Sequence, residues 1–148
     1  MANEHLVVEI TPWGSVHYLQ TLALRYNVLR KPLGLVFDPS IFSSEANDTH
    51  VIAKSGNWVI GCMILTAHGK DMKMRQVAVD PQFQRKGVGV QLVHLAEAEA
   101  VNQGAETMVL HARDSAIPFY LSLGYSIVGE GFEEVGIPHH AMRKSLVG

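Results

Sequence analysis

Hydrophobic and polar positions along the chain form blocks that predict alternating strands and helices. His5 to Ile10 predicts a first strand, which Thr11-Pro12 ends. From about Ser15 to Leu29, a helix is predicted because apolar residues recur at helical spacing, namely Val16, Leu19, Leu22, Ala23, Tyr26 and Leu29. Lys31-Pro32-Leu33-Gly34 is expected to end this helix, since a proline restricts the residue before it.

Three strands are predicted in the next part of the chain. Gly34 to Asp48 is rich in turn-forming residues and is expected to be a loop with room for a short helix. His50 to Lys54 and Trp58 to Thr66 are β-rich, and Ser55-Gly56-Asn57 between them predicts a hairpin. A further strand is predicted at Met72 to Val79.

The C-terminal half predicts two helices and three strands. A helix from about Gly87 to Gln103 has one apolar face, formed by Leu92, Val93, Ala96 and Ala100. The remaining predicted elements are a strand at Thr107 to His111, a helix at Ser115 to Leu123 with Ser115 as its N-cap, and strands at Tyr125 to Gly129 and Ala141 to Leu146. This order predicts an α/β fold, a mixed central sheet with helices on both faces.

Composition and charge narrow the class of protein. The 148 residues suit a single domain, and 47% of them are hydrophobic. A net charge of −2 gives no general attraction for nucleic acid or anionic membranes, so any anion must be held locally. Cys62, the lone cysteine, is expected to be a buried apolar residue. No export signal or membrane span is visible in the sequence, which makes a cytoplasmic protein the expectation.

A phosphate-binding loop is predicted where a strand gives way to a helix. Two glycines, Gly87 and Gly89, remove side chains that would hold a ligand away from the backbone. The first N–H groups of a helix are unpaired and lie at its positive end, which favours a pyrophosphate. Arg85 and Lys86 add positive charge. Neither better-known glycine-rich loop fits this spacing, and the alternative is that the glycines only begin a helix.

Four motifs, the first of them together with the strand before it, carry a resemblance to a known family. Gln84-Arg85-Lys86-Gly87-Val88-Gly89 resembles the Arg/Gln-x-x-Gly-x-Gly/Ala motif of the GNAT acetyltransferases, and Arg75 to Pro81 resembles the strand before it. Ala112 to Tyr125 is similar to the family's second cofactor segment. Phe132 to His139, which includes Gly-Ile-Pro-His, and Leu24 to Gly34 resemble a subgroup of small bacterial members.

This resemblance implies one acyltransferase domain over residues 1–148, with acetyl-CoA bound in a cleft between two splayed parallel strands. The amine would attack the thioester directly, without a covalent enzyme intermediate. The implied acetyl-CoA ligands are Val77, Ala78 and Val79 for the pantetheine, Gln84, Arg85, Lys86, Gly87, Val88 and Gly89 for the pyrophosphate, and Arg113, Ala116 and Phe119 beyond them. Many members carry asparagine where this chain has Arg113.

Two proton-transfer roles are implied for the cleft. By register with the family, Tyr120 is the acid that assists the departing thiolate, and the alternative is a core aromatic residue. His139 is the first candidate for the base, since imidazole accepts a proton near neutral pH, and the alternative is a structural histidine. Glu133, Glu134 and His50 are further candidates for the base.

The acceptor side is less determined by the sequence. Arg25 on the first helix is a candidate acceptor ligand, whereas Arg30 is expected to brace a loop or the surface. We expect a small-molecule amine or an exposed protein amine as acceptor, no metal, no nucleic acid or membrane partner, and a possible homodimer. Two alternatives stay open, a different acyl donor and a non-catalytic module that only binds acyl-CoA.

Overall fold

A seven-stranded sheet forms the centre of the fold in the computed structural model, which describes residues 6–148. His5, predicted as the start of the first strand, lies outside the described residues. The strands are β1 (Leu6–Thr11), β2 (Thr49–Ser55), β3 (Trp58–His68), β4 (Asp71–Val79), β5 (Thr107–Arg113), β6 (Ser126–Glu134) and β7 (Ile137–Ser145). The helices are α1 (Val16–Arg25), α2 (Ser40–Ser44), α3 (Val88–Asn102) and α4 (Ile117–Ser122).

The predicted order of elements and the mixed α/β architecture are confirmed. The strands lie in the order β1-β2-β3-β4-β5-β7-β6, and every neighbouring pair is antiparallel except β4 and β5. Parallel neighbours need a long crossover, and α3 provides it between β4 and β5. No helix among residues 6–148 is long and apolar enough to cross a membrane.

Each face of the sheet is covered by a separate apolar cluster. On one face lies α3, and all four residues of its predicted apolar stripe, Leu92, Val93, Ala96 and Ala100, are fully buried. The other face carries a smaller cluster around Leu24, Ile52 and Ala78, beneath α1. Cys62 belongs to this second cluster, which confirms its prediction as a buried apolar residue.

The apolar rhythm of the first helix does not mark its buried face. Val16 and Leu19 are exposed, whereas Tyr18, Thr21, Leu24 and Arg25 are buried. The buried side chains include polar ones because Glu45, which follows α2, lies under the helix and bonds to them. Beyond Arg25 the chain continues in a π-helical turn over Tyr26–Arg30 and a 3₁₀ turn over Lys31–Leu33, which ends at Gly34 as predicted.

Two boundaries near the C-terminus differ from the prediction. Ser115 is not a helix N-cap: it lies inside a 3₁₀ turn, Asp114–Ala116, and α4 begins after it without a side-chain cap. Pro118 is tolerated because it is the second residue of α4, where no carbonyl partner exists for an N–H. The last hairpin is longer than predicted, so that Glu133 and Glu134 belong to β6 rather than to a loop.

Strands β4 and β5 separate along their length. They pair from Asp71–Thr107 to Met74–Leu110 and no further. A bulge follows in β4, where three steps from Arg75 to Ala78 match two steps on β3, and Gln76 adopts a φ of 55°. The bulge bends β4 away from β5, so the backbone from Arg75 to Val79 has no strand partner on the β5 side among the described residues.

Candidate functional site

The space between the separated strands is a cleft of about 810 Å³. Its walls are the ends of β4 and β5, the start of α3, and α4. Apolar residues after α1 close one end, namely Val28, Leu29 and Leu35, together with Val135 at the β6–β7 turn. A cavity of this size accommodates a cofactor-sized ligand.

The loop between β4 and α3 is shaped by local backbone preferences. The Asp80 carboxylate accepts a hydrogen bond of 2.9 Å from the Gln82 N–H and begins a 3₁₀ turn at Pro81–Phe83. Arg85 and Gly87 then adopt φ values of 61° and 83°. The left-handed conformation at Gly87 turns the chain directly into α3, leaving the first N–H groups of that helix without partners inside it.

The two glycines of this loop differ in their surroundings, and each is required for a different reason. Nothing lies within 4 Å of a Cβ added at Gly87, so its surroundings are open. A Cβ at Gly89 would meet Cζ of Phe119 at 3.2 Å. Gly89 is therefore needed for α3 to pack against the ring of Phe119, whereas Gly87 is needed for its backbone conformation.

The structure brings most of the predicted acetyl-CoA ligands into this cleft. The predicted residues that line it are Val77, Ala78, Val79, Gln84, Arg85, Gly87, Gly89, Arg113, Ala116 and Phe119. Lys86 and Val88 do not line it. The Val88 side chain is buried in the core, which leaves only its backbone N–H for a ligand, and the Lys86 ammonium lies 5.6 Å from the centre of the Phe83 ring. The Val79 carbonyl accepts a 3.0 Å hydrogen bond from the Gln84 amide.

Tyr120 lines the cleft from α4. Its side chain packs edge-on against Phe119 and Tyr125, and the residue is only 6% exposed. Its hydroxyl makes no hydrogen bond to any of residues 6–148. Burial raises the pKa of Tyr120 to about 12. The phenol therefore keeps its proton at neutral pH and is available as a hydrogen-bond donor within the cleft.

His139 lines the same cleft from β7. Its Nδ1 lies 2.7 Å from the Ile137 carbonyl, which can only accept, so Nδ1 carries the hydrogen. Nε2 lies 3.7 Å from Oε2 of Glu134. The ring stacks on Phe132, and the residue is 4% exposed. His139 thus braces the β6–β7 turn through Nδ1, and its Nε2 faces Glu134, which also lines the cleft.

Two further polar side chains join His139 at this end of the cleft. Nδ1 of His111, on β5, lies 2.9 Å from Oε1 of Glu134, on β6. In the sequence, Glu134 is one of several candidates for the base, whereas no motif or spacing marks His111. Register explains their meeting: β7 lies between β5 and β6, and its His139 is opposite Arg113 on one side and Phe132 on the other.

Arg25 is not part of this cleft, which corrects its prediction as an acceptor ligand. Its guanidinium is buried and binds both oxygens of Glu45 at 2.7 and 2.8 Å. His50 is also held away from the cleft, with Nε2 3.0 Å from the Glu45 carbonyl. Arg30 does line the cleft and donates to the Val36 carbonyl at 3.3 Å, as a loop-bracing residue would.

No group of three or more histidine, cysteine, aspartate or glutamate side chains in the described part of the chain is arranged to hold a metal ion.

Comparisons with known proteins agree with this geometry. Residues 38–146 match the family described as "Acetyltransferase (GNAT) domain". The uncharacterized N-acetyltransferase YjcF of Bacillus subtilis is 27% identical over 122 residues, which cover 82% of this chain and 87% of YjcF. Two solved structures share the fold.

The first structure is an N-acetyltransferase candidate from Lactobacillus plantarum, with a TM-score of 0.86, 20% identity and coverage of 97% of this chain and 100% of that one. The second is an aminoglycoside 6′-N-acetyltransferase complexed with coenzyme A, with a TM-score of 0.81, 17% identity and coverage of 96% and 98%.

Proposed function

The chain belongs to the GNAT acetyltransferase family and is an acyl-CoA N-acyltransferase, and on that premise we propose that Tyr120 and His139 handle the protons as acetyl passes from acetyl-CoA to a primary amine. The observation that carries this proposal is their common position: both side chains line the cleft that opens between β4 and β5. The acceptor is a small-molecule amine or an exposed protein amine.

Acetyl-CoA is proposed to lie along the cleft with its pyrophosphate at the start of α3. The open surroundings of Gly87 and the unpaired N–H groups of the first helical turn fit an anion there. Arg85 supplies charge, and the unpaired edge of β4 from Val77 to Val79 supplies hydrogen bonds for the pantetheine amides. Arg113, Ala116 and Phe119 form the opposite wall.

The reaction requires one bond to form and one to break. The amine nitrogen attacks the thioester carbonyl, the C–N bond forms, and the C–S bond breaks to release the CoA thiolate. His139 Nε2 accepts a proton from the amine, because Nδ1 already holds its hydrogen toward Ile137. The thiolate receives a hydrogen bond from the Tyr120 hydroxyl.

We also propose the finer features that the resemblance implies. The segment Gly136-Ile137-Pro138-His139 supports the proposal that the chain belongs to a subgroup of small bacterial members. The enzyme is proposed to act in the cytoplasm, and its outer strand β6, with Ile127 and Val128 about 45% exposed, is the edge through which a homodimer would form.

The test is thiol release from acetyl-CoA in the presence of a panel of amines: benzylamine, putrescine, lysine amide, an aminoglycoside and a peptide with a free N-terminus. We expect release that depends on one class of amine and saturates with it. A parallel thermal-shift titration with acetyl-CoA separates the alternatives. Stabilisation without amine-dependent release would identify a binding module, and neither effect would overturn the proposal.

A further inference from the structure

Glu134 lies between two histidine rings that also line the cleft. Its Oε1 accepts a hydrogen bond of 2.9 Å from Nδ1 of His111, and its Oε2 lies 3.7 Å from Nε2 of His139. The ring of Phe132 contacts both histidines, edge-on to His111 and stacked on His139. Three strands, β5, β6 and β7, therefore hold this arrangement in place.

The hydrogens in this cluster leave two acceptors facing each other. Nδ1 of His139 donates to the Ile137 carbonyl, so Nε2 of the neutral ring carries a lone pair. Oε2 of the Glu134 carboxylate also only accepts. Atoms 3.7 Å apart do not hydrogen-bond directly. One nitrogen atom that carries at least two N–H bonds, placed beside the pair, could donate to both acceptors at the usual length of about 2.8 to 3.0 Å.

The two acceptor atoms, Glu134 Oε2 and His139 Nε2, indicate which kind of group would bind beside them. A carboxylate attracts a cation, and an adjacent imidazole lone pair accepts a proton from it. We propose that Glu134 Oε2 and His139 Nε2 form the subsite that receives the acceptor as a cationic alkylammonium group. This inference rests on the proposed function and deepens it, because it assigns the charge state in which the acceptor arrives and the residue that binds it.

The proton balance follows from this assignment. The acceptor enters as R–NH₃⁺, and transfer of one proton to Nε2 leaves the neutral amine beside Glu134. Attack on the thioester forms the amide, whose nitrogen loses a second proton, and the thiolate takes up one. One proton in total passes to solvent. Four arginines, Arg30, Arg75, Arg85 and Arg113, also line the cleft and would repel an ammonium. Glu134 is the one carboxylate among the described residues that line the cleft, so an ammonium would be held beside it and not elsewhere in the cleft.

The test compares Glu134→Gln with Glu130→Gln under saturating acetyl-CoA. Both carboxylates are exposed and lie on β6, but Glu130 does not line the cleft, so it is a matched control outside the cluster. The probe is the alkylamine of the panel that the wild type acetylates with the highest kcat/KM. We expect Glu134→Gln to raise its KM roughly tenfold or more, as loss of a charge-assisted hydrogen bond would.

The change should be confined to the acceptor. We expect the KM for acetyl-CoA to be unchanged, kcat to fall less than KM for the amine rises, and Glu130→Gln to remain within about twofold of wild type. Glu134 is about half exposed, so both Glu134→Gln and a second variant, Glu134→Ser, should fold, and circular dichroism checks this.

The outcomes separate this inference from the proposed function. If the wild type released no thiol in response to any amine, the proposed function itself would be refuted. A wild type that acetylates alkylamines, with a Glu134→Gln KM equal to that of Glu130→Gln, would overturn the ammonium subsite alone. A fall in kcat without a rise in KM would overturn it as well, because binding would not then involve the carboxylate.

Discussion

Burial determines what Tyr120 can do in the reaction. Its pKa is raised to about 12 because the phenolate would be poorly solvated in the cleft. A free thiol has an ordinary pKa of about 8.5, so full proton transfer from this tyrosine to a thiolate is unfavourable. Tyr120 is therefore better suited to stabilise the developing thiolate by a hydrogen bond than to protonate it outright.

Removing the Tyr120 hydroxyl should slow the chemical step and leave binding intact. For Tyr120→Phe we expect kcat to fall roughly 100-fold, in the range of a lost proton-handling group, because the thiolate loses its donor. The affinity for acetyl-CoA should stay within about twofold, since the ring remains. Steady-state thiol release and a binding titration measure the two quantities.

The matched control is Tyr26→Phe, in the π-helical turn after α1, which does not line the cleft. It should behave like the wild type. A Tyr120→Phe variant with the wild-type kcat would refute the role assigned to this hydroxyl.

At the level of elements, the start of α3 depends on one backbone conformation. Gly87 has a φ of 83°, which costs a residue with a Cβ roughly 1 kcal/mol. Gly56, in the β2–β3 turn, has a φ of 61° and equally open surroundings. An alanine would therefore be strained in the same way at either position. The two positions differ in location, because only Gly87 lies in the cleft.

Alanine substitutions at Gly87 and Gly56 distinguish a ligand-binding role for Gly87 from a role only in starting α3. We expect Gly87→Ala and Gly56→Ala each to lower the free energy of unfolding by about 1 kcal/mol, measured by urea denaturation. Only Gly87→Ala should also weaken binding of acetyl-CoA, by several-fold in an isothermal titration. Equal affinities in the two variants would mean that Gly87 only begins a helix.

Local patterns predicted the elements well where burial follows from the sequence. The apolar stripe of α3, including Leu92 and Ala96, faces the sheet as expected, because the helix packs on an apolar surface. In α1 the apolar residues do not mark the buried face, because Arg25 and Tyr18 are buried through their hydrogen bonds to Glu45. A buried ion pair between residues 20 positions apart leaves no periodic signal in the sequence.

The cleft was predictable in part. Gly87 and Gly89 have a spacing that identifies the loop before α3, and both glycines line the cleft. The cluster of His111, Glu134 and His139 has no such spacing, because it forms only through the register of β5, β7 and β6. Strand register depends on pairing across the whole sheet, so the cluster could not be read from any single segment.

For the whole molecule, one buried polar network joins distant segments. Glu45 binds the Arg25 guanidinium with both oxygens, accepts a hydrogen bond of 2.9 Å from the Tyr18 hydroxyl, and its carbonyl lies 3.0 Å from Nε2 of His50. Through these contacts α1 is fixed to the segment after α2 and to β2. Val28, Leu29 and Leu35, which follow α1 and line the cleft, depend on this attachment.

The network should make stability fall in acid, in two stages. Burial lowers the pKa of His50 below its ordinary 6.5. As the pH falls below about 6.5, the imidazole is therefore protonated in the unfolded chain before it is protonated in the folded one, and the free energy of unfolding decreases. Burial alone would raise the pKa of Glu45, but the hydrogen bonds and charge of Arg25 outweigh it and lower that pKa from 4.5. Stability should therefore fall again below about pH 4.5, where the unfolded chain protonates Glu45 before the folded chain does.

Urea midpoints of the wild type and two histidine variants between pH 7.5 and 4 test this linkage. His50→Gln keeps a donor for the Glu45 carbonyl but cannot be protonated, so its midpoint should stay level down to about pH 5, whereas the wild-type midpoint falls from about pH 6.5. His68→Gln, which replaces an exposed histidine at the end of β3, should follow the wild type. Parallel curves for all three proteins would show that His50 is not the group that couples the network to pH. The fall below pH 4.5 should persist in His50→Gln, because it belongs to Glu45 and to the attachment of α1.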